Sequence, residues 1–189
     1  DGIEMAGKLH KDPACSHIPL IFLTAKTAEQ SRLKGMETGV VDYINKPFNP
    51  RILALKVRNI IENRKNYAER IRKALILEPS EIEIESMDEK FIKKAREIVE
   101  KYISEPEFDV QKFVSEMGMS RSVLYRKLRA VTNQSANEFI NVIRLKRAAQ
   151  LLEKNTMNVS EISYMVGFND PQYFSKCFRK QYGKTPSQF

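Results

Sequence analysis

Two short runs of the chain carry side chains suited to holding an extended polyanion and to probing what lies between its charges. Arg121, Ser122, Tyr125, Arg126 and Arg129 form the first run; Gln172, Ser175, Lys176, Arg179 and Lys180 form the second. Arg126 corresponds to Lys176, and Arg129 to Arg179, at an offset of 50. Guanidinium and ammonium groups pair with phosphate oxygens, while amide, hydroxyl and guanidinium donors also match the edges of bases. On a helix these positions lie away from Val123, Leu124, Leu128 and Val131 in the first run and from Phe174 and Phe178 in the second, which face a core. Pro171 also stays outside, and Tyr173 is expected half-buried.

Each run must be held by a preceding element, and the same unit occurs twice. VQKFVSEMGMSRSVLYRKLRAV, from Val110, matches VSEISYMVGFNDPQYFSKCFRKQY, from Val159. Val110 aligns with Val159, Phe113 with Ile162 and Gly118 with Gly167 at an offset of 49; one extra residue after the glycine then aligns Leu124 with Phe174 and Leu128 with Phe178. A short amphipathic helix, a glycine turn capped by Ser or Asn-Asp, and a second helix with apolar i, i+4 anchors are the sequence form of a helix-turn-helix, whose second helix enters a DNA major groove. An amphipathic helix over Asp88–Ser104, with Phe91, Ile92, Ala95, Ile98, Val99 and Tyr102 apolar and Asp88 as N-cap, is expected to cover the first unit. A helix over Ser135–Glu153, apolar at Phe139, Ile140, Ile143, Leu145, Ala148, Leu151 and Leu152, joins the two. Eighteen residues span about 27 Å, comparable to one turn of DNA at about 34 Å.

Charge is divided the same way. The chain is +8 overall. Residues 1–109 carry 19 basic and 19 acidic side chains, and residues 110–189 carry 13 basic and 5 acidic, so the whole excess lies in the repeat. That is an electrostatic footprint for double-stranded DNA. The 189 residues allow one large or two small domains. No apolar run reaches the roughly 18 residues that span a bilayer, no signal peptide opens the chain, and Cys15 and Cys177 lie in different expected domains, which fits a reducing cytoplasm. His10, Cys15 and His17 lack the paired spacing of a zinc site, so no metal is expected. A Gly-rich phosphate loop, G-x-S-x-G and a Cys–His nucleophile pattern are all missing, which argues against an enzyme.

The front segment alternates helix and strand: helix over Ile3–Lys11, an apolar strand within Ile18–Ala25, helix over Ala28–Thr38 closed by Gly39, strand Asp42–Asn45, and a long helix from Pro50. This order is half of a doubly wound α/β domain. Asp1-Gly2-Ile3-Glu4, Leu23-Thr24-Ala25-Lys26 and Asp42-Tyr43-Ile44-Asn45-Lys46-Pro47-Phe48 resemble the second half of a response-regulator receiver domain. The resemblance implies that Thr24 and Lys46 sense an aspartyl phosphate, that Tyr43 is the switch aromatic, and that the Lys46–Pro47 bond is cis. The family's phosphate-accepting Asp and magnesium-binding acidic pair precede the Asp-Gly, so Mg2+ is expected only for an intact receiver. So small a segment is expected to be marginally stable alone.

The helix from Pro50 is expected to run to about Leu77. Leu53, Val57, Ile60, Arg64, Tyr67, Ile71 and Ala74 fall at alternating four and three steps. Either the first of these pack on the receiver and the rest is a solvated connector, or the stripe is a parallel coiled coil joining two protomers. Glu78–Met87 reads as an extended linker or edge strand rather than a domain of its own.

Arg144-Leu145 with Ala148 and Leu151-Leu152, Gly167-Phe168, Tyr173 to Arg179, Tyr182-Gly183 and Thr185 to Phe189 resemble the AraC/XylS family of transcription regulators, over residues 88–189. The resemblance implies base reading by Arg126 and Lys176, helped by Ser122, Tyr125 and Gln172, with guanine the partner of Arg126. Arg121, Arg129, Ser175, Arg179 and Lys180 are then left to phosphate. The expected fold is mixed: a partial α/β, flavodoxin-like receiver half over 1–63, a helical and extended linker over 64–87, and an all-α double helix-turn-helix domain over 88–189. The expected function is sequence-specific regulation of transcription within a two-component phosphorelay. The alternative is an interaction module with only non-specific DNA affinity. A homodimer through receiver and linker helix, and a histidine kinase domain in the intact protein, are the expected protein partners. A free-standing regulator and a hybrid sensor kinase both fit, the linker favouring the hybrid; only the hybrid would be membrane-anchored, through a part outside these residues.

Overall fold

The computed structural model describes residues 2–25, 41–76, 87–154 and 156–189. Its first part has α1 (Gly2–Lys11), β1 (Ile21–Thr24) and β2 (Asp42–Asn45), and the long α2 (Pro50–Ile76) follows. The strands pair in parallel, with Ile21 opposite Asp42 and Thr24 opposite Asn45. Phe22 and Tyr43 stack obliquely across the pair at 5.5 Å, and Lys56 of α2 bonds Asp42. The Lys46–Pro47 bond is cis. This is the partial α/β unit expected, joined to an otherwise helical chain. The expected helix over Ala28–Thr38 with its Gly39 cap, and all of the Glu78–Met87 linker except Met87, lie outside the described residues.

The second part is all helical: α3 (Met87–Lys101), α4 (Val110–Met117), α5 (Arg121–Thr132), α6 (Ala136–Glu153), α7 (Val159–Met165), α8 (Pro171–Tyr182) and a 3-10 turn over Pro186–Gln188. Local chemistry explains the boundaries. Asp109, Ser120 and Asp170 accept backbone N–H groups at the starts of α4, α5 and α8. Ser135 with Glu138, and Asn158 with Glu161, form reciprocal capping boxes on α6 and α7. Gly118 closes α4 at φ 68°, and Gly167, its counterpart in the repeat, stands at φ 80°. Asp88 is a correction: it is the second residue of α3 rather than its cap, and its carboxylate serves Arg64 instead.

Two apolar cores form, one per unit. The first gathers Phe91, Val99, Phe108, Phe113, Leu124, Leu128, Val131, Phe139 and Ile143 with others; the second gathers Leu145, Ala148, Ile162, Val166, Phe168, Phe174 and Phe178. Helix α6 passes through both, which is why its apolar residues are spread around it rather than along one stripe. The stripe on α2 behaves as neither expectation held. Its later half is not a solvated connector: Ile71 joins the first core, and Tyr67 packs against it. The stripe's charged member, Arg64, donates to Asp88 at 3.1 Å. These residues are spent on the chain's own first unit, leaving them no room for a coiled-coil partner.

Candidate nucleic-acid interface

Helices α5 and α8 each follow a short helix and a turn, and each turns one face inward. Leu124, Leu128, Val131, Phe174 and Phe178 have no exposed surface. Arg121, Ser122, Arg126 and Arg129 on α5, and Gln172, Lys176, Arg179 and Lys180 on α8, are exposed; Val123, Tyr125, Pro171 and Ser175 are partly so. Tyr173 keeps 52% of its surface exposed and lies against the Phe168 ring. The two outward faces thus carry equivalent positions of the repeat although few residues in them are identical.

Within the α5 face the side chains are already ordered. Arg121 donates to the Tyr125 hydroxyl at 3.2 Å and lies over its ring, and Arg126 Nε reaches back to the Ser122 carbonyl at 3.4 Å. That bond uses one edge of the guanidinium and holds the remainder pointing outward. On α8, Ser175 Oγ donates to the Pro171 carbonyl at 2.8 Å, so its proton is engaged within the helix. Glu138 at the start of α6 accepts from Ser135 N–H and Oγ, and these bonds hold its carboxyl below the usual range, with help from the charges of Lys180 and Arg129. The charges of Arg129 and Lys180, one from each unit, therefore act on the same carboxylate. A cleft of about 290 Å³ between the units is lined by Asn133, Gln134, Glu138, Tyr173, Cys177 and Lys180.

No pattern in the sequence marks Lys127. It sits on α5 between two exposed positions' worth of basic residues, yet only 1% of it is exposed. Its ammonium donates to the Pro13 carbonyl at 2.9 Å and to Ser16 Oγ at 2.8 Å. It stands 3.7 Å from Asp88 Oδ1, an ion-pair separation too long for a hydrogen bond. Burial pushes its pKa down, and Asp88 opposes that. The receiver segment thereby holds one flank of the first outward face. His17, beside it, is also pushed down, chiefly by burial and further by Lys127, Arg64 and Arg126, against Asp88. Only spatial proximity links these residues, so no local pattern could have found them.

The receiver residues come together at the strand ends. Thr24 ends β1, its carbonyl accepts the Lys46 amide at 2.7 Å, and Lys46 is exposed. Tyr43 is half-buried on β2, with its hydroxyl enclosed. Among the described residues no three His, Cys, Asp or Glu side chains gather to hold a metal. Among them, too, no helix is long and apolar enough to cross a membrane.

A double helix-turn-helix on a basic segment defines a DNA-binding module, and the comparisons with known proteins agree. Residues 113–189 match the helix-turn-helix domain family and residues 1–58 the response regulator receiver domain family. Residues 1–58 are thus similar to a receiver segment and residues 113–189 to a helix-turn-helix domain, and the chain spans less than a third of the length of the first curated relatives it matches. It is 47% identical over 188 residues to "Histidine kinase P4" of Formosa agariphila, a match spanning all of this chain but 14% of that protein. It is 42% identical over 80 residues to the "Msm operon regulatory protein" of Streptococcus mutans, covering 42% of this chain and 29% of that one. Among solved structures, the C-terminal domain of AraT, a response regulator from Geobacillus stearothermophilus, aligns at 26% identity with a TM-score of 0.48, over 52% of this chain and 81% of that one.

Proposed function

We propose that residues 88–189 read a two-part DNA sequence, with Ser122, Tyr125 and Arg126 on one block and Gln172 and Lys176 on the other. Arg121, Arg129, Ser175, Arg179 and Lys180 hold phosphates and fix register. The observation that carries this reading is the outward exposure of equivalent positions on α5 and α8. An 18-residue α6 between them, about 27 Å long, suits blocks about one helical turn apart.

Control belongs to the receiver, with boundaries near residues 63 and 88. Thr24 and Lys46 respond to the phosphoryl group, Tyr43 follows, and magnesium is required only by an intact receiver. The grip on Lys127 gives the receiver a direct hold on the first unit. A histidine kinase domain of a longer cytoplasmic or membrane-anchored polypeptide supplies the phosphate, and these residues perform no catalysis of their own. Two copies pair through the receiver and α2, on which Ile52, Leu55 and Ile61 are each at least 50% exposed; sedimentation equilibrium measures this.

Selection from random duplexes, followed by anisotropy titration over a range of salt, tests the DNA reading. Enrichment of two blocks one turn apart supports it. Binding without enrichment, with a steep salt slope, means that only phosphates are contacted.

A further inference from the structure

The two apolar cores divide at one residue. The first includes Val142 and Ile143, the second begins at Leu145, and Arg144 stands between them on α6. It is only 7% exposed. Its Nη2 donates to the Glu105 carbonyl at 2.7 Å and reaches the Phe108 carbonyl at 3.4 Å, both in the turn that follows α3 in the first unit. On its other side lies Gly167, the turn residue of the second unit. A Cβ there would stand 2.8 Å from Arg144 Nη2, 2.9 Å from its Cζ and 2.5 Å from the Ile103 carbonyl oxygen. The equivalent Gly118 of the first unit has nothing within 4 Å of such a Cβ. The first glycine therefore meets a conformational need, whereas the second also makes room for a guanidinium.

We propose that Arg144 is a positioning residue that locks the two helix-turn-helix units at one mutual setting and so determines the spacing of DNA blocks the chain accepts. The proposal rests on the two-block reading of DNA. A buried guanidinium held by carbonyl oxygens is costly, and burial is what lowers its pKa. An apolar side chain of the same length would fill the space more cheaply. What it could not do is bond the first unit's turn while its flat face receives the second unit's glycine. Rotation of α7 and α8 about α6 would draw Gly167 off that plane and expose the charge without satisfying it, so one orientation is selected. Arg144 is remote from the outward faces of α5 and α8 in sequence and in role: it acts through their relative placement, not by touching DNA.

The test uses the two-block duplex enriched by the wild-type chain, the same duplex with either block scrambled, and versions with the spacer changed by one or two base pairs. Arg144→Met keeps the length and removes the fork; Arg144→Lys keeps the charge as a single point donor. Circular dichroism monitors folding of each. For Arg144→Met, single-block affinity stays within about twofold of wild type. The advantage of two blocks over one falls about tenfold, out of the roughly 10²- to 10⁴-fold that linkage can supply, and the spacing preference flattens. Arg144→Lys flattens it partly, and carries the test if the methionine variant does not fold. An unchanged spacing preference in the folded variant overturns the proposal, as does a loss of single-block affinity as large as the two-block loss, which would mean a merely structural role. Failure of the wild type to enrich any two-part sequence is a separate result, which removes the two-block reading itself and this proposal with it.

Discussion

Arg126 and Arg179 occupy exposed faces of equivalent helices, and their chemistry is the same, so only position separates their roles. Arg126 stands a turn after Ser122 and is steadied by that residue's carbonyl, which leaves the rest of its planar fork outward. Arg126→Ala is expected to cost about 1–3 kcal/mol on the preferred sequence and to relax choice at one base pair; Arg179→Ala should weaken all sequences alike and lower the salt slope by about 1. Anisotropy on matched and single-mismatch duplexes distinguishes them. His17 shows the residue scale acting through solvent. Burial, with the charges of Lys127, Arg64 and Arg126, pushes its pKa down, against Asp88. The unfolded chain binds a proton near the ordinary value of 6.5, and the folded chain binds it only at lower pH. Folding therefore expels a proton, and this group's contribution to stability is present above pH 6.5 and lost as pH falls through that region. Thermal melts between pH 7.5 and 5.5 should show a decline that His17→Gln reduces; equal declines in both would remove the argument.

At the scale of elements, the second unit depends on few parts. A chain of rings runs from Phe168 through Phe174 and Phe178 to Tyr182 and Phe189, with neighbouring centroids 4.6 to 5.7 Å apart. Phe178 touches three of the others. Phe178→Ala should cost about 3–5 kcal/mol, and because the two cores share no buried apolar residue, hydrogen exchange should accelerate in α7 and α8 while α3 to α5 stay protected. Acceleration throughout would mean that the cores unfold as one. These elements were legible in the sequence because their causes are local. Ser120, Asp170 and the Ser135–Glu138 pair mark helix starts, Gly118 and Gly167 mark turns, and the i, i+4 anchors mark inward faces. Strand Asp42–Asn45 emerged residue for residue. What the sequence hid has non-local causes. Asp88 looks like a cap until Arg64, 24 residues earlier, is placed beside it. The stripe on α2 carries a periodicity that fits a partner helix or the chain's own core equally well, and only the return of the chain decides. Lys127 reads as one more basic residue in a basic segment, and Arg144 as part of a family pattern that assigns it no contact; their burial follows from units meeting, which no spacing records.

Across the whole molecule, the receiver segment and the DNA-binding domain are joined by more than a linker. Tyr67 and Ile71 of α2 pack on the first core, Arg64 pairs with Asp88, and Lys127 is drawn to Pro13 and Ser16. These contacts all fall on the first unit, while Arg72 of α2 borders the cleft that α8 also lines. A helix in a major groove about 12 Å wide has phosphates along both flanks, and the Lys127 flank of α5 is already occupied by protein. A lysine engaged in this way releases no counterion when DNA binds. Each phosphate contact contributes about 0.9 to the slope of log K against log salt on duplex DNA, so Arg129→Ala should lower that slope by about that amount while Lys127→Met leaves it unchanged. The methionine keeps the aliphatic stem against Phe91, over whose ring the ammonium sits at 5.0 Å, and Asp88 keeps Arg64, so the variant isolates the charge. If Lys127→Met instead lowers the slope as Arg129→Ala does, the receiver segment must leave α5 when DNA arrives. Binding would then be paid for by breaking the contacts to Pro13 and Ser16, and anything that loosens that segment beforehand would raise affinity at the first block alone.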